Sequence, residues 1–245
     1  MPHAPCPMPS NKYGLAIHTT SPDLGLAIAA YPALPENKDK LLYRSGCWNL
    51  GRGLAKKFQQ HLSEFIEPQN WSDLAFLAVA IGPGSFTGTR IGVTASRTLA
   101  QQLQIPLFGI SSLAAVARFS LTNETQSSEF VREQDSLPGK LSEKKTGAIA
   151  IQMPAQRGQL FVAIYKIDTV SQSLTNLFPD SVLAAEAWQK TLDNWSTPYQ
   201  LISIPAGAGL GNSASAVLEL AHLDWQQGLR PDFSEALPFY GQNPV

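Results

Sequence analysis

Residues 74–92, LAFLAVAIGPGSFTGTRIG, decide how the rest of the chain is read. LAFLAVAI (74–81) is continuously apolar, as expected of a strand covered on both faces. GPGSFTG (82–88) follows at once, and from about Thr87 to Gln104 apolar and small residues recur at helical spacing until Pro106 stops the helix. LFGI (107–110) then suits a short buried strand. The glycines at 82, 84 and 88 permit a backbone path that side chains would block, and Pro83 fixes one φ. The spacing is GxGxxxG, one residue off the dinucleotide fingerprint, and the GK[ST] of a P-loop is missing. Pro83 and Thr87 occupy the flanking positions of Ser85, so it does not sit in the GxSxG of a hydrolase elbow. N–H groups at the helix start could seat an anion, but the simpler reading is a tight strand-to-helix turn.

Upstream, YGLAIH (13–18) and GLAIAAY (25–31), separated by TTSPDL, read as strand, turn, strand. Leu41 to Cys47 suits a third strand. From about Trp48 to Ile66, Leu50, Leu54, Phe58, Leu62 and Phe65 recur at helical spacing. Downstream, the stretch from about Ser120 to Thr146 is polar, charged and poorly periodic, and reads as a linker or insertion. The earlier order then returns. GAIAIQM (147–153) and QLFVAIY (159–165) flank a turn, SLTNLF (173–178) adds a strand, and VLAAEAWQKTLDNW (182–195) reads as a helix. QLISI (200–204) runs into PAGAGLG (205–211) and a helix from about Ser213 to Leu223. Both halves therefore read hairpin, further strand, helix, buried strand, glycine-rich loop, helix. The expected organisation is a first lobe over 11–115, a polar linker over 116–146 and a second lobe over 147–245, each an α/β layer of mixed sheet and helices.

The composition, with 44% hydrophobic and 15% charged residues, is that of a water-soluble globular protein. A net charge of −1 argues against autonomous nucleic-acid binding, which draws its affinity from clustered Lys and Arg. The longest strongly apolar run, 74–81, is far short of the roughly 20 residues of a membrane-spanning helix. MPHAPCPMPSNKY at the start has neither basic n-region nor apolar h-region and reads as a loose tail. Cys6 and Cys47 make no disulfide framework. The expected compartment is the cytoplasm.

Few residues invite chemistry. His3, His18, His61 and His222 form no metal-binding pair, and a lone His18 at a strand end reads as a hydrogen-bonded structural residue. Asp23 reads as a turn residue, and Arg90 and Arg97 as surface or interface charges. The three glycines of 205–211 could face a nucleotide, a weak signal. Along the helix after the GPGSFTG turn, Gly88, Gly92, Ser96 and Ala100 fall four apart, with Ile91, Ala95, Leu99 and Leu103 as a neighbouring stripe. Small residues admit a close backbone, either the chain's own sheet or a second helix.

LAIHTTSPDLGLAIA and, above all, IGPGSFTGTRIGVTASRTLAQQLQIPLFGISSL resemble the TsaB (YeaZ) family; RGQLFVAIYK and LPFYGQNPV resemble its second-lobe hairpin and C-terminal tail. The resemblance is strong over about 13–115. It implies the two-lobed fold of actin, Hsp70 and sugar kinases. It also implies a non-catalytic scaffold without cofactor or metal, in the complex that adds threonylcarbamoyl to the adenosine next to the anticodon of tRNA. The implied partners are the catalytic paralogue TsaD, the ATPase TsaE through the complex, and tRNA only through the complex, with a homodimer of the isolated chain left open. In that family the two long helices of the first lobe dock on their counterpart, which makes Leu54, Phe58, Gly88, Gly92, Ser96 and Ala100 the expected interface. The chain departs from the family at His18, where an Asp is usual. It departs again at Asn49, Leu50 and Gly51 in place of His-Ser-Glu, and at Pro154, Ala155 and Gln156 in place of Asp-Ala-Arg. Each departure removes a charge or ligand that a metal–nucleotide site could use. An ATP-dependent phosphotransferase of the same fold is the alternative, and a metal-dependent peptidase a more distant one.

Overall fold

A computed structural model describes residues 13–31, 43–122, 131–133, 147–168 and 173–241. The first sheet contains β1 (Tyr13–His18), β2 (Asp23–Ala30), β3 (Tyr43–Asn49), β4 (Leu74–Ala80) and β5 (Leu107–Ile110), in the order β3-β2-β1-β4-β5. β1, β2 and β3 form an antiparallel meander, and β4 and β5 add in parallel. The parallel additions need crossovers, supplied by α1 (Leu54–Ile66) and α2 (Phe86–Leu103). The second sheet contains β6 (Val131–Glu133), β7 (Ala148–Pro154), β8 (Gln159–Ile167), β9 (Leu174–Ala184) and β10 (Tyr199–Ser203), in the order β6-β10-β7-β8-β9. Here α4 (Ala185–Asp193) is the crossover from β9 to β10, and α5 (Ala214–Gln226) follows β10.

The alternation of side chains along the strands dictates the layering. In β1, β2 and β4, Leu15, Ile17, Leu24, Leu26, Ile28, Leu77 and Val79 face α1 and α2. The intervening positions, Ala16, Ala27, Ala29, Phe76, Ala78 and Ala80, face the interior. The small interior side chains let α5 come close on β1, β2, β4 and β5, although α5 follows the second sheet. The helix after the first sheet, α3 (Ser112–Thr122), packs on α5 and reaches β7, β8 and β9. Each lobe thus lends a helix to the other, and α3 and α5 form a shared middle layer. The far face of the second sheet is covered by Trp188 and Leu192 of α4. This is a two-lobed α/β fold, two five-stranded mixed sheets around a shared helical layer.

Several elements depart from the sequence reading, each for a nonlocal or backbone reason. Trp48 lies in β3, one residue before its end, with its ring tilted against that of His61 at 4.9 Å; α1 starts only at Leu54, because Gly51 takes φ of 48° and breaks the run. α3 has no helical signal in the reading, since it is buried on nearly every side and shows little polar face. β9 continues to Ala184 because Ser181–Ala184 pair with Gln159–Val162, so the following helix begins at Ala185 rather than Val182. Within the stretch read as a linker, Val131–Glu133 pair antiparallel with Leu201–Ser203 and close the edge of the second sheet. The rest of 123–146 lies outside the described residues. The two halves therefore share four strands in one topology and differ in the fifth.

Candidate functional site: an inter-lobe cleft and a two-helix groove

The turns after β1, β4, β7 and β10 converge between the lobes and enclose a cleft of about 980 Å³. Thr20, Ser85, Phe86, Arg157, Phe161 and Tyr240 are among its walls; among the described residues no Asp or Glu lines it, and Arg157 is the one charged side chain that does. The polar groups of its first-lobe wall already satisfy one another. Ser85 N–H donates to Thr20 O at 2.7 Å, and Gly88 N–H to Ser85 Oγ at 3.2 Å, which caps α2. Leu210 N–H, from the second lobe, donates to Ser21 Oγ at 2.9 Å, and the Thr20 and Ser112 hydroxyls lie 2.8 Å apart. A magnesium nucleotide needs carboxylates for the metal and free N–H groups for its phosphates. Among the described residues, the lining offers no carboxylate to hold the metal. Of the glycine loop 205–211, Gly207 lines the cleft with open space about it, whereas Gly209 and Gly211 are packed against β2 and β3. A Cβ at Gly209 would collide with the carboxylate of Asp23, which lies buried at the start of β2 rather than in a turn and accepts from Cys47 Sγ at 3.7 Å.

Two titratable groups outside the cleft lining, His18 and Asp180, are shifted by burial. His18, at the end of β1, is fully buried, and among the described residues neither ring nitrogen has a hydrogen-bond partner, so the expected hydrogen-bonded role is not met. Burial pushes its pKa down to about 3, and the ring is neutral. Asp180 on β9 accepts from Tyr165 Oη and from Ser111 Oγ, while Ser111 Oγ itself accepts from Leu113 N–H at 3.1 Å at the start of α3. This triad ties the first lobe's last strand to the second lobe's outer hairpin. Burial raises the Asp180 pKa against these hydrogen bonds, and burial first, then the Asp180 charge, raises that of Tyr165. Among the described residues no three His, Cys, Asp or Glu side chains gather where a metal ion could sit.

On the outer face, α1 and α2 leave a groove of about 820 Å³ between them. Phe58, Leu62, Trp71, Ile91, Ala95 and Leu99 give it an apolar floor, and among the described residues Arg90 is the one charged residue that lines it. The six residues expected at an interface are all buried within the chain. Gly88 and Gly92 are pressed on the segment after β1, where a Cβ at Gly88 would strike Thr19 O and one at Gly92 would strike Thr19 Oγ1. Ser96 is fully buried, Ala100 sits over the sheet, and Leu54 belongs to the core beneath α1. Only Phe58 of the six lines the groove. The small stripe serves the chain's own sheet, and the neighbouring stripe, Ile91, Ala95 and Leu99, is the one left half-open. Its signal was present in the periodicity; nothing local said which stripe would be covered. Trp71, from the turn before β4, had no such signal.

The family model that matches is TsaD, tRNA N6-adenosine threonylcarbamoyltransferase, over residues 53–130, the stretch that holds α1, β4, α2, β5 and α3. The chain is 32% identical over 126 residues to the tRNA threonylcarbamoyladenosine biosynthesis protein TsaB of Bacillus subtilis, covering 51% of this chain and 44% of that protein. It is 43% identical over 47 residues to the Escherichia coli protein of the same name, covering 19% of this chain and 20% of that one. The matches thus span less than half the length of these curated relatives. Among solved structures, YeaZ from Pseudomonas aeruginosa superposes with a TM-score of 0.63 at 18% identity, covering 93% of this chain and all of that one. A second Pseudomonas aeruginosa structure, of a protein with similarity to peptidase YeaZ, gives 0.66 at 18% identity over 94% of this chain and all of that one. At that identity the likeness establishes the fold.

Proposed function

We propose that the chain is a member of the TsaB (YeaZ) family, a reading supported by its matches to the Bacillus subtilis and Escherichia coli proteins, and that it is a non-catalytic scaffold of the machinery that places threonylcarbamoyl on tRNA, acting by holding a TsaD-like catalytic paralogue. The observation that carries this reading is the position of the groove. It is walled by α1 and α2, and both lie inside the stretch matched by the TsaD family model. A paralogue built from the same stretch presents an equivalent helix pair. Two such pairs can pack about a pseudo-twofold axis, each giving and receiving the same contacts. The half-open Ile91, Ala95 and Leu99 would supply the apolar ridge and Arg90 a polar rim.

The cleft supports the non-catalytic half of the reading, since among the described residues its walls offer no carboxylate and the Ser85 and Leu210 amides are engaged within the fold. With a net charge of −1, the chain would rely on its partners for tRNA, and a TsaE-like ATPase would join through the complex. The role implies a cytoplasmic location; among the described residues no helix is long and apolar enough to cross a membrane.

The test is a binding titration of the full chain against the TsaD-like protein of the same cell, with wild type beside Ala95→Arg. Ala95 is half-exposed and central in the groove, so a long cation there should block docking without unfolding the chain. We expect at least a tenfold loss of affinity, about 1.4 kcal/mol or more, with the melting temperature unchanged. Equal binding by the variant would remove the groove from the interface. Sedimentation of the isolated chain tells whether a second copy uses the same face.

A further inference from the structure

The described chain ends in a strap that crosses both lobes. After α5, Leu107 N–H donates to Pro231 O at 3.3 Å, a short turn at Phe233–Glu235 packs on α2, and Ala236 is buried. Phe239 N–H donates to Ile81 O at 2.7 Å. Gly82, at φ of 106°, has no side chain to keep Phe239 O away. Tyr240 then reaches the rim of the cleft, and Gly241 lies against Phe161 and Val182 of the second sheet.

Tyr240 is held there by a ring. Its centroid lies 4.7 Å from that of Phe86, the first residue of α2, which is 43% exposed and has no place in the core. One turn along, the Arg90 guanidinium carbon lies 5.3 Å from the same Phe86 ring. Arg90 also lines the groove, the only charged side chain to do so among the described residues. Three side chains thus connect the rim of the cleft to the surface between α1 and α2.

We propose that the Tyr240–Phe86–Arg90 stack couples the groove to the strap: a partner that presents a carboxylate to Arg90 draws the guanidinium from Phe86, loosens Tyr240 and frees the end of the strap from the cleft. An exposed cation–π contact and an exposed ion pair are of similar strength, so one can displace the other. The inference rests on the groove as the partner surface for its trigger, but the stack itself is internal to the chain. Coupling of this kind is reciprocal, so whatever factor the partner imposes on the strap, strap release returns to the partner's affinity.

Hydrogen exchange at the Phe239 amide reads strap opening directly in the full chain. Arg90→Ala should speed that exchange by about two- to fivefold, the factor of one lost exposed cation–π contact. Phe86→Ala should speed it at least as much, and Thr94→Ala, an exposed groove residue away from the stack, should leave it unchanged. All three replaced positions are exposed, and an unchanged melting temperature confirms an intact fold. Exchange unmoved by Arg90→Ala, whatever Phe86→Ala does, overturns the coupling. Saturating TsaD-like partner should speed the amide in wild type and leave Arg90→Ala flat; a slowed amide overturns the proposal. If the partner does not bind at all, the scaffold reading fails and the Arg90→Ala comparison alone decides the coupling.

Discussion

Thr19 Oγ1 stands where a side chain at Gly92 would begin, and the same hydroxyl donates to Gly88 O at 2.8 Å. The end of β1 and the first two turns of α2 are thereby seated on each other with no space for a Cβ. Gly92→Ala should therefore cost stability, by about 1–3 kcal/mol in urea melts, as overpacking does. Its folded fraction should bind the partner as wild type does. Because Thr19 is the obstacle, Thr19→Ala should cost less in the Gly92→Ala background than in wild type, a non-additivity that a double-mutant cycle measures. A Gly92→Ala protein that melts like wild type but no longer binds would return the small stripe to the interface.

His18 makes the fold acid-sensitive. Its pKa is about 3 in the folded chain against 6.5 for the free side chain, so below pH 6.5 the unfolded chain takes up a proton that the folded chain refuses. Its contribution is complete above pH 6.5 and falls away toward pH 3, by about 1.4 kcal/mol per pH unit. His18→Leu keeps the volume and removes both the proton and the unpartnered nitrogens. Urea midpoints at pH 7.5 and pH 5 should lie closer together in this variant than in wild type. An equal drop in both proteins would show that other groups govern the acid limb.

The Ser111–Tyr165–Asp180 triad has the opposite sign. The folded-state pKa of Asp180 is raised, so the folded chain binds its proton more tightly, and this group's contribution declines as pH rises from the ordinary carboxylate range through the raised value. Tyr165→Phe removes one of the two hydroxyl donors and should destabilise by about 1–3 kcal/mol at pH values where the carboxylate is ionised and left under-bonded. The loss should shrink near pH 4. A loss that does not change with pH would assign the effect to packing.

Magnesium ATP should give no saturable heat in a calorimetric titration at micromolar protein. The cleft walls contain no carboxylate for the metal, and Ser85 N–H and Leu210 N–H are already bonded to Thr20 O and Ser21 Oγ. Micromolar affinity with nucleotide contacts in the cleft would restore the phosphotransferase alternative.

Much of the first lobe could be read locally. The apolar run at 74–80 is a buried strand, and Ser85 caps α2 as its position before the helix suggests. The small and the apolar stripes of α2 were both visible as stripes. What was unreadable was α3, buried so completely that its sequence shows little polar face, and β6, three residues whose only reason to be extended is their pairing with β10. Gly88, Gly92, Ser96 and Ala100, expected at a partner surface, are covered by the chain itself, which the stripe alone could not say. Small residues announce a close approach without saying to what.

The sequence by itself determined which positions repeat, which strands are buried on both faces, and, through GPGSFTGTRIG, which family the chain resembles. Those are properties of neighbours along the chain, set by periodicity and backbone freedom. Only the tertiary structure decided what covers each face. Thr19 meets Gly88 across 69 positions of sequence, Ser111 meets Asp180 across 69, and Ser21 receives Leu210 across 189. Which stripe of α2 is sealed and which is left open depends on those distant contacts, because packing is a property of the surfaces brought together, and local pattern does not specify the second surface.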